Sequence, residues 1–559
     1  MPRTLNFQTN FVAGVLDPRL AARTDMQQYY QGVEEGTNVL NLPQGGMKRR
    51  PGMAYQATLA GSSRIVMFAF NVEQTYLMAF SNNNIAVYRD GVHQANVTTT
   101  YTTAQLFELN WTQSADTMII VHPDHQPAKL VRGGSHTSWT LSNITLTNIP
   151  TFDYGSGAEA VLSASRGWPR TATFFAQRLW FGGSKSRPQT VWASVIGDFY
   201  NLNVGTGLDD DALDFTLDTD QVNAIESIYA GRHLSIFTSG GEFYMPDSPI
   251  TPTKSAVQRQ TQFGSSSIRP VGIDGGILFI DRPKAAVREF LFTYEEDAYT
   301  SNSKTLMASH LISTPVDMDA RRGTPNEDAN YVYIVNGDGT MAVFNTLRDQ
   351  GIAGWTKWTT TGTIESVAVI VDDVYFSVKR TVGGGDVYYL EKADNNTYTD
   401  ANKLQTLSPA SASVTGLAHL NGIVCRVRAD SAIMADATPS SGGITLTRTA
   451  TSVEVGMDYD TTIKTMPLNM DFQDGPILTR HKRLVRVVAD VYQSLGLYVN
   501  STLVPDRAFG SSILGTTPAA FTGIKEMHIL GWDRLAQVTI TQQDPQPLTL
   551  LGLAIEVEA

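Results

Sequence analysis

Two histidines and an aspartate stand close together in the stretch VHPDHQPAK, at His122, Asp124 and His125. Two histidines three residues apart bind a metal when a helix or a rigid turn points both at one ion. Pro123 and Pro127 exclude a helix here, and no acidic cluster follows that would supply further ligands. The pattern favours a turn beside a strand, and we predict that the protein holds no metal ion and no cofactor.

A second group is acidic. The stretch GLDDDALDFTLDTDQ carries aspartates at Asp209, Asp210, Asp211, Asp214, Asp218 and Asp220. A calcium loop needs oxygens at alternating positions around a glycine turn, with a glutamate closing the site. The central glycine and the closing glutamate are both missing. A solvated acidic loop, or an acidic rim between subunits, is the favoured interpretation.

A third group is basic. In NLPQGGMKRRPGMAY, Lys48, Arg49 and Arg50 lie between two glycines and a proline. Glycines let the backbone bend sharply, and arginine forks match carboxylates and phosphates. A phosphate grip, a loop that docks a partner and an internal cluster of ion pairs are all compatible with this pattern.

Aromatic and arginine side chains alternate in RLWFGGSKSRPQTVWASVIGDFYNL, residues 178–202. Such a mixture stacks on nucleic acid in some proteins, but it also fills propeller cores and protein interfaces. The net charge favours a core or interface role over nucleic-acid binding, because the chain is acidic. The sequence contains no P-loop, dinucleotide fingerprint or G-x-S-x-G motif, so we predict no enzyme. A pair of acids for glycoside cleavage stays open as an alternative.

The chain has 559 residues and a net charge of −12, with 42% apolar and 17% charged residues. This composition predicts several domains with ample core and argues against a general nucleic-acid binder. Cys425 is the only cysteine, which excludes an intrachain disulfide. The start lacks a signal-peptide pattern, and no apolar run reaches the roughly 18 residues that span a bilayer. We expect a protein made in a reducing cytoplasm, without stable membrane insertion.

One segment near the start has helical spacing. In RTDMQQYYQGVEEG, apolar side chains recur at Met26, Tyr29, Tyr30 and Val33, and Gly36 suits a helix exit. Thr24 or Asp25 would cap the first turn. We predict a short helix within an N-terminal docking segment, residues 1–60. The helix either packs on its own domain or docks a partner.

From residue 61 onward, short apolar runs alternate with turns rich in Gly, Asn and Asp. Their centres recur roughly every 42 to 60 residues, near the period of four-stranded propeller blades. A ring of such sheets buries faces that one sheet alone cannot bury. The spacing favours a β-propeller over residues 61–400, with a stack of sandwiches as the alternative. Residues 401–559 stay strand-rich without the period, which predicts a β-sandwich-like platform domain.

The sequence resembles the tail nozzle proteins of short-tailed bacteriophages (podoviruses), also called tail tubular protein B. The resemblance near the start rests on Gly14, Asp17–Leu20, Arg23, Asp25, Tyr29, Asn38, Pro43–Gly46 and Arg49–Gly52. It continues through TSGGEFYM, ITPTKSAVQRQTQFG, VREFLFTYEEDAYTSNSKTLMASHL, GLAHLNGIVCRVRAD and VEVGMDYDTTIKTMP. One departure is Asp430-Ser431, where the family pattern has Asp-Gly at a hairpin.

The resemblance implies a virion protein assembled in the host bacterial cytoplasm. It implies a ring, most often a homohexamer, below an adaptor that sits on the portal, extending and closing the DNA ejection channel and supporting tail fibres or spikes. A tail-associated propeller enzyme that degrades host polysaccharide is the alternative function. The interface candidates are Arg23, Asp25, Tyr29, Lys48, Arg49 and Arg50. The candidates for lining the lumen, where DNA would pass in transient contact, are Asp209, Asp210, Asp211 and Asp214. Segments 203–220 and 381–386 are candidate gates.

Overall fold

A computed structural model describes residues 3–155, 157–219, 223–246, 249–323, 329–469, 471–472, 475–476, 481–507 and 517–558. Strands dominate throughout. The contacts divide the chain into two compact units: unit 1 comprises Met1–Leu59, Met307–Ile312 and Asp319–Ala559, and unit 2 comprises Ala60–Leu306 and Ser313–Met318.

The described part of unit 2 contains five consecutive four-stranded antiparallel sheets, which we number blades 1 to 5. Blade 1 consists of Arg64–Ala69, Thr75–Ser81, Asn84–Arg89 and Val92–Thr98, and blade 2 consists of Asn110–Ser114, Thr117–His122, His125–Arg132 and Trp139–Asn143. Blade 3 consists of Thr171–Phe175, Arg178–Gly182, Thr190–Ala193 and Leu213–Thr216, and blade 4 consists of Ile225–Ala230, Leu234–Thr238, Glu242–Met245 and Gln258–Thr261. Blade 5 consists of Val271–Ile273, Gly276–Ile280, Val287–Thr293 and Ala298–Ser303. A two-stranded ribbon joins Thr151–Asp153 to Ala158–Ala160.

Tight turns explain why each blade folds back on itself. Asp90-Gly91 and Asp274-Gly275 both have positive φ at their two central residues, the turn that matches the twist of a hairpin. The core lies between neighbouring blades, because a single four-stranded sheet cannot cover its own two faces. For example, Ile119 and Val121 of blade 2 belong to one buried cluster with Phe181 and Trp192 of blade 3.

Unit 1 contains longer sheets. In one of them the strand order is Asp317–Arg321, Asn330–Val335, Met341–Leu347, Ile352–Trp358, Gly14–Val15, Gly32–Thr37, Thr461–Thr465, Thr539–Gln542, Tyr498–Val499 and Thr502–Leu503. The first two residues of this list of strands, Asp317 and Met318, are counted with unit 2. Another has the order Thr363–Ile370, Asp373–Val382, Gly385–Asp394, Gly52–Leu59, Asp400–Val414, Ile444–Met457, Arg426–Ala429 and Ala432–Ile433. Asp471–Phe472 and Gly475–Pro476 form a small pair.

A further sheet of unit 1, which we call the terminal sheet, combines the two ends of the chain. Its strands are Val39–Asn41, Met47–Arg49, Arg3–Gln8, Thr549–Glu558, Lys482–Ser494, Phe521–His528 and Trp532–Asp533. Thr549–Glu558 lies at its centre, with Leu553, Ile555 and Val557 buried on the inner face. The strands Arg3–Gln8 and Met47–Arg49 therefore belong to the same sheet as strands from residues 482–558.

The helical content is small. The described α-helix is Gln27–Gln31, and the 3-10 turns are Pro18–Leu20, Thr103–Glu108, Ser309–Leu311, Arg348–Gln350 and Ala418–Leu420. The α-helix is shorter than its sequence pattern predicted, and neither Thr24 nor Asp25 caps it. Val33 and Gly36 lie in the strand Gly32–Thr37 instead, because that strand pairs with Gly14–Val15 on one side and Thr461–Thr465 on the other.

Repeated four-stranded antiparallel sheets confirm the prediction of a mainly β fold of the propeller type. The division into 1–60, 61–400 and 401–559 remains a prediction. One observation bears on it: the strand Gly52–Leu59 pairs with Gly385–Asp394, so it completes a four-stranded group whose other three strands lie more than 300 residues later.

Candidate assembly and channel residues

Arg50 lies in a fully buried ion pair. Its Nη1 and Nη2 donate to Oδ1 and Oδ2 of Asp400 at 2.8 and 2.6 Å, and both side chains are completely enclosed. Its Nε donates to Asn38 Oδ1 at 2.9 Å, and the guanidinium lies 3.6 Å from the ring centre of Tyr459. Burial alone would raise the pKa of Asp400, but the charge and hydrogen bonds of Arg50 outweigh it and lower that pKa.

A second buried pair adjoins the first. Arg380 donates from Nε and Nη2 to both carboxylate oxygens of Glu391 at 2.5 and 2.6 Å, and neither side chain is exposed. The hydroxyl of Thr360 joins the pairs, since it accepts from Arg380 Nη1 at 3.0 Å and donates to Asp400 Oδ2 at 2.6 Å. We call Arg50, Asp400, Arg380, Glu391 and Thr360 the ionic junction. It ties the first segment of the chain to the strands Asp373–Val382, Gly385–Asp394 and Asp400–Val414.

Arg49 is buried as well, but it meets backbone carbonyls rather than carboxylates. Its Nη2 donates to Tyr459 O at 2.9 Å and Tyr398 O at 3.3 Å, and its Nη1 donates to Asp544 O and to Gln546 O. The guanidinium thus provides donors for carbonyls in three loops between strands. Of the interpretations that the sequence left open for the basic turn, Arg50 forms an internal ion pair, and Arg49 makes internal hydrogen bonds without an ion pair.

The remaining interface candidates divide by exposure. Arg23 and Asp25 form an exposed ion pair at 2.8 Å, and Lys48 is half-buried. Tyr29 is buried, and its hydroxyl donates to Pro467 O at 2.6 Å. Arg49, Arg50 and Tyr29 are thus buried within this chain, whereas Arg23, Asp25 and Lys48 are exposed or half-buried.

Two residues of the family pattern have local structural roles. Asp17 begins the 3-10 turn Pro18–Leu20 by accepting from Arg19 N at 2.9 Å. Hydrogen bonds from the Arg19 side chain hold the pKa of Asp17 well below its usual range. Gly14 has a φ of +64°, and a Cβ there would lie 2.4 Å from the backbone N and O of Trp355, so only glycine fits.

The acidic loop is organised around a buried arginine. Arg178 donates from Nη1 to Ser194 O at 2.6 Å and Asp211 O at 2.5 Å, and from Nη2 to Asp209 O at 2.7 Å. These are carbonyls, so the carboxylates are left for other partners. Burial lowers the pKa of Arg178, with Asp210 and Asp211 opposing that effect.

The four lumen candidates have different surroundings. Asp211 folds back, since its Oδ2 accepts from the backbone N–H groups of Thr206, Gly207 and Leu208 at 3.1, 3.0 and 2.8 Å. Asp214 is half-buried 3.7 Å from Arg187, and burial raises its pKa. Asp209 and Asp210 have exposed side chains. Asp218 is also exposed, and Asp220 lies outside the described residues.

The other sequence-predicted sites are structural turns. His122 and His125 face each other across the hairpin of blade 2, and His122 Nε2 lies 3.2 Å from Glu108 Oε2. Within the described ranges, no group of three or more His, Cys, Asp or Glu side chains is placed to hold a metal ion. Segment 381–386 is the end of a hairpin in which Gly383 and Gly384 have positive φ.

The ionic junction is the feature that sequence reasoning missed. Arg380, Glu391 and Asp400 carry no motif, and they lie beside Arg50 because Gly52–Leu59 pairs with both Gly385–Asp394 and Asp400–Val414. A weak signal was available, because charged residues inside apolar strands such as DVYFSVKR and DVYYLEK need a buried partner.

Comparison with known proteins gives a family. The model of the bacteriophage nozzle protein family matches residues 174–475, more than half of the chain. No curated protein matches. The crystal structure of RRP9 WD40 repeats is similar at 8% identity, covering 62% of this chain and 99% of its own, with a TM-score of 0.40. The structure of U3-55K is similar at 8% identity, covering 62% and 100%, with a TM-score of 0.38. In the described part of the chain, no helix has the length and apolar character to span a membrane.

Proposed function

The chain belongs to the bacteriophage nozzle protein family, and from this membership we propose that it builds the ring-shaped nozzle of a short phage tail. A nozzle protein is a structural component of the virion tail and assembles with other tail proteins. In the proposed arrangement six copies, assembled in the host cytoplasm, attach below an adaptor on the portal. They extend the DNA channel, close it before infection and support fibres or spikes.

The net negative charge of the protein supports a channel through which DNA slides without being bound. Each copy carries −12, so six copies carry −72 together. Duplex DNA is held by cations that replace its counterions, and a wall poor in exposed Lys and Arg lets it slide. We propose that Asp209 and Asp210 contribute to the lumen, since their carboxylates are exposed and Arg178 binds backbone carbonyls of the loop rather than its carboxylates. Asp211 and Asp214 act there by shaping the loop.

The attachment surface in this proposal uses the accessible members of the N-terminal pattern. Arg23, Asp25 and Lys48 are exposed or half-buried, so they are available to the adaptor or to a neighbouring copy. Charge reversal of Arg23 and Lys48 to glutamate should weaken attachment while leaving the fold intact. A variant with normal attachment would remove these residues from the proposed interface.

Native mass spectrometry of the protein mixed with a purified portal–adaptor complex tests the proposal. The protein alone is the wrong sample, because a subunit that assembles only on a template stays monomeric without it. The proposal predicts an added mass of six copies. The absence of any binding to the portal–adaptor complex would overturn it.

A further inference from the structure

The terminal sheet ends in two edge strands that lie on opposite sides. Arg3–Gln8 pairs with Thr549–Glu558, and Phe521–His528 pairs with Lys482–Ser494. In the described part of the chain, neither strand has a second strand neighbour. An open edge presents unpaired backbone N–H and C=O groups, which are a template for another strand.

Both edges carry exposed apolar side chains on the outer face. Leu5 and Phe7 are 46% and 62% exposed on one edge strand, and Ile524 is 66% exposed on the other. Soluble proteins normally protect long edge strands with charges, prolines or bulges. Apolar side chains of this size on two open edges indicate strands that are covered in an assembly.

Strand direction allows the two edges to meet. All pairings that lead from Arg3–Gln8 through Thr549–Glu558 and Lys482–Ser494 to Phe521–His528 are antiparallel. The two edge strands therefore run in opposite directions. If the sheet of one copy continues into the sheet of the next, the new pairing is antiparallel like the others.

A ladder of charges on the outer face points to the same continuation. Arg3 lies 3.5 Å from Glu556, Glu556 lies 3.1 Å from Arg486, and Arg486 lies 3.3 Å from Glu526. The ladder starts with a cation at one edge and ends with an anion at the other. Placing Arg3 of a second copy opposite Glu526 keeps the charges alternating from copy to copy.

We propose that Arg3–Gln8 of one copy pairs antiparallel with Phe521–His528 of the next copy. In this register Arg3 faces Glu526, Leu5 faces Ile524 and Phe7 faces Thr522. Main-chain hydrogen bonds bind the strands, and the alternating outer side chains set the register. The contact joins two different surfaces, so repetition gives a ring when the rotation closes. The inference rests on the proposed function, because it names the contact between copies in the nozzle ring.

Disulfide trapping tests the register. In the double variant Leu5→Cys, Ile524→Cys, the cysteines belong to strands that are three strand spacings apart in one copy, about 14 Å, too far for an intrachain bond. The protein is assembled on a portal–adaptor complex, oxidised mildly and separated without reductant. The matched control is Leu5→Cys, Glu526→Cys, in which the cysteines would be diagonal neighbours about 7–8 Å apart. Wild-type protein controls for Cys425, which is buried.

The inference predicts covalent multiples of this chain for the first variant and at most traces for the control. In parallel, native mass spectrometry measures the mass that each protein adds to the portal–adaptor complex. Rings without the crosslink, or a stronger crosslink in the control, would overturn the inference while the proposed function stands. Wild-type protein that adds no mass to the complex would overturn the proposed function itself. If Leu5→Cys or Ile524→Cys alone gives a protein that is folded by circular dichroism yet fails to assemble, that result would support the contact.

Discussion

The ionic junction of unit 1 contains buried arginines, and the acidic loop of unit 2 is organised around one, yet their arginines have different partners. Arg50 binds both oxygens of Asp400, so two opposite charges cancel inside the protein. Arg178 binds the carbonyls of Asp209, Asp211 and Ser194, so it leaves the neighbouring carboxylates without a bond from its guanidinium group. The partner of a buried arginine thus decides whether nearby acids stabilise the fold internally or remain available at the surface.

The pKa shifts of the two arginines agree with this difference. Burial opposes the charge of both guanidinium groups. At Arg50 the attraction of Asp400 outweighs burial and raises the pKa, whereas at Arg178 burial prevails and lowers it. Unit 1 therefore depends on a specific charge pair, and the acidic loop depends on hydrogen bonds to its backbone.

The largest expected effect comes from breaking the ionic junction. Arg50→Met leaves Asp400 buried without its partner, which costs about 3–5 kcal/mol of folding free energy. Urea denaturation followed by tryptophan fluorescence measures the loss. Removing both charges, Arg50→Met with Asp400→Leu, should recover part of it. The control Arg23→Met breaks an exposed pair and should leave the transition unchanged, so equal losses in Arg23→Met and Arg50→Met would contradict the account.

A smaller effect is expected in the acidic loop. Arg178→Met removes charged hydrogen bonds to three carbonyls and should cost about 2 kcal/mol. Hydrogen exchange of the Thr206, Gly207 and Leu208 amides should become faster, because Asp211 then loses its fixed position. The matched control is Arg187→Met, which removes a half-buried arginine next to Asp214. Unchanged exchange in Arg178→Met would show that Arg178 does not organise the loop.

Lowering the pH should reduce the folding stability of unit 1, because His419 is buried in its neutral form. Burial lowers its pKa from 6.5 to about 4, and its Nε2 lies 2.9 Å from Ala401 O. The unfolded chain binds the proton at higher pH than the folded chain does, so stability falls as pH drops from 6.5 towards 4. His419→Gln keeps an N–H donor without this titration. Its melting temperature should fall less between pH 7 and pH 4.5 than that of the wild type, and equal falls would refute the assignment.

The smallest effect on stability is expected at the exposed acids. Asp209→Asn with Asp210→Asn should change the folding free energy by less than about 0.5 kcal/mol. DNA release from virions, followed with a DNA-binding dye, should become slower because repulsion of phosphate is reduced. The control removes the same charge elsewhere, Asp349→Asn with Asp372→Asn. Equal slowing in both variants would argue against a local role of the loop.

Local chemistry explains which features the sequence predicted. Hairpins such as Asp274-Gly275 are encoded by adjacent residues, and so the blade pattern was readable. Asp430-Ser431 forms its turn with positive φ at both residues although glycine is absent, because Asp430 also accepts from Thr451 N and Ser452 N.

The sequence-based predictions that failed concern residues whose structure depends on contacts with residues far away in the chain. The helix was predicted too long because Gly32–Thr37 forms a strand through pairing with Gly14–Val15 and with the distant strand Thr461–Thr465. Similarly, Arg50 and Asp400 are 350 residues apart, so no local pattern links them. Charge reversal of Arg49 and Arg50 is therefore expected to unfold unit 1 and not only to impair assembly.

The most direct test of the account is a cryo-electron microscopy map of the assembled tail at side-chain resolution. The account predicts a ring of this chain below the adaptor, with Asp209 and Asp210 facing the channel and the ionic junction enclosed within each copy. A channel lined continuously by Lys and Arg, with the acidic loop facing away from it, would contradict the account.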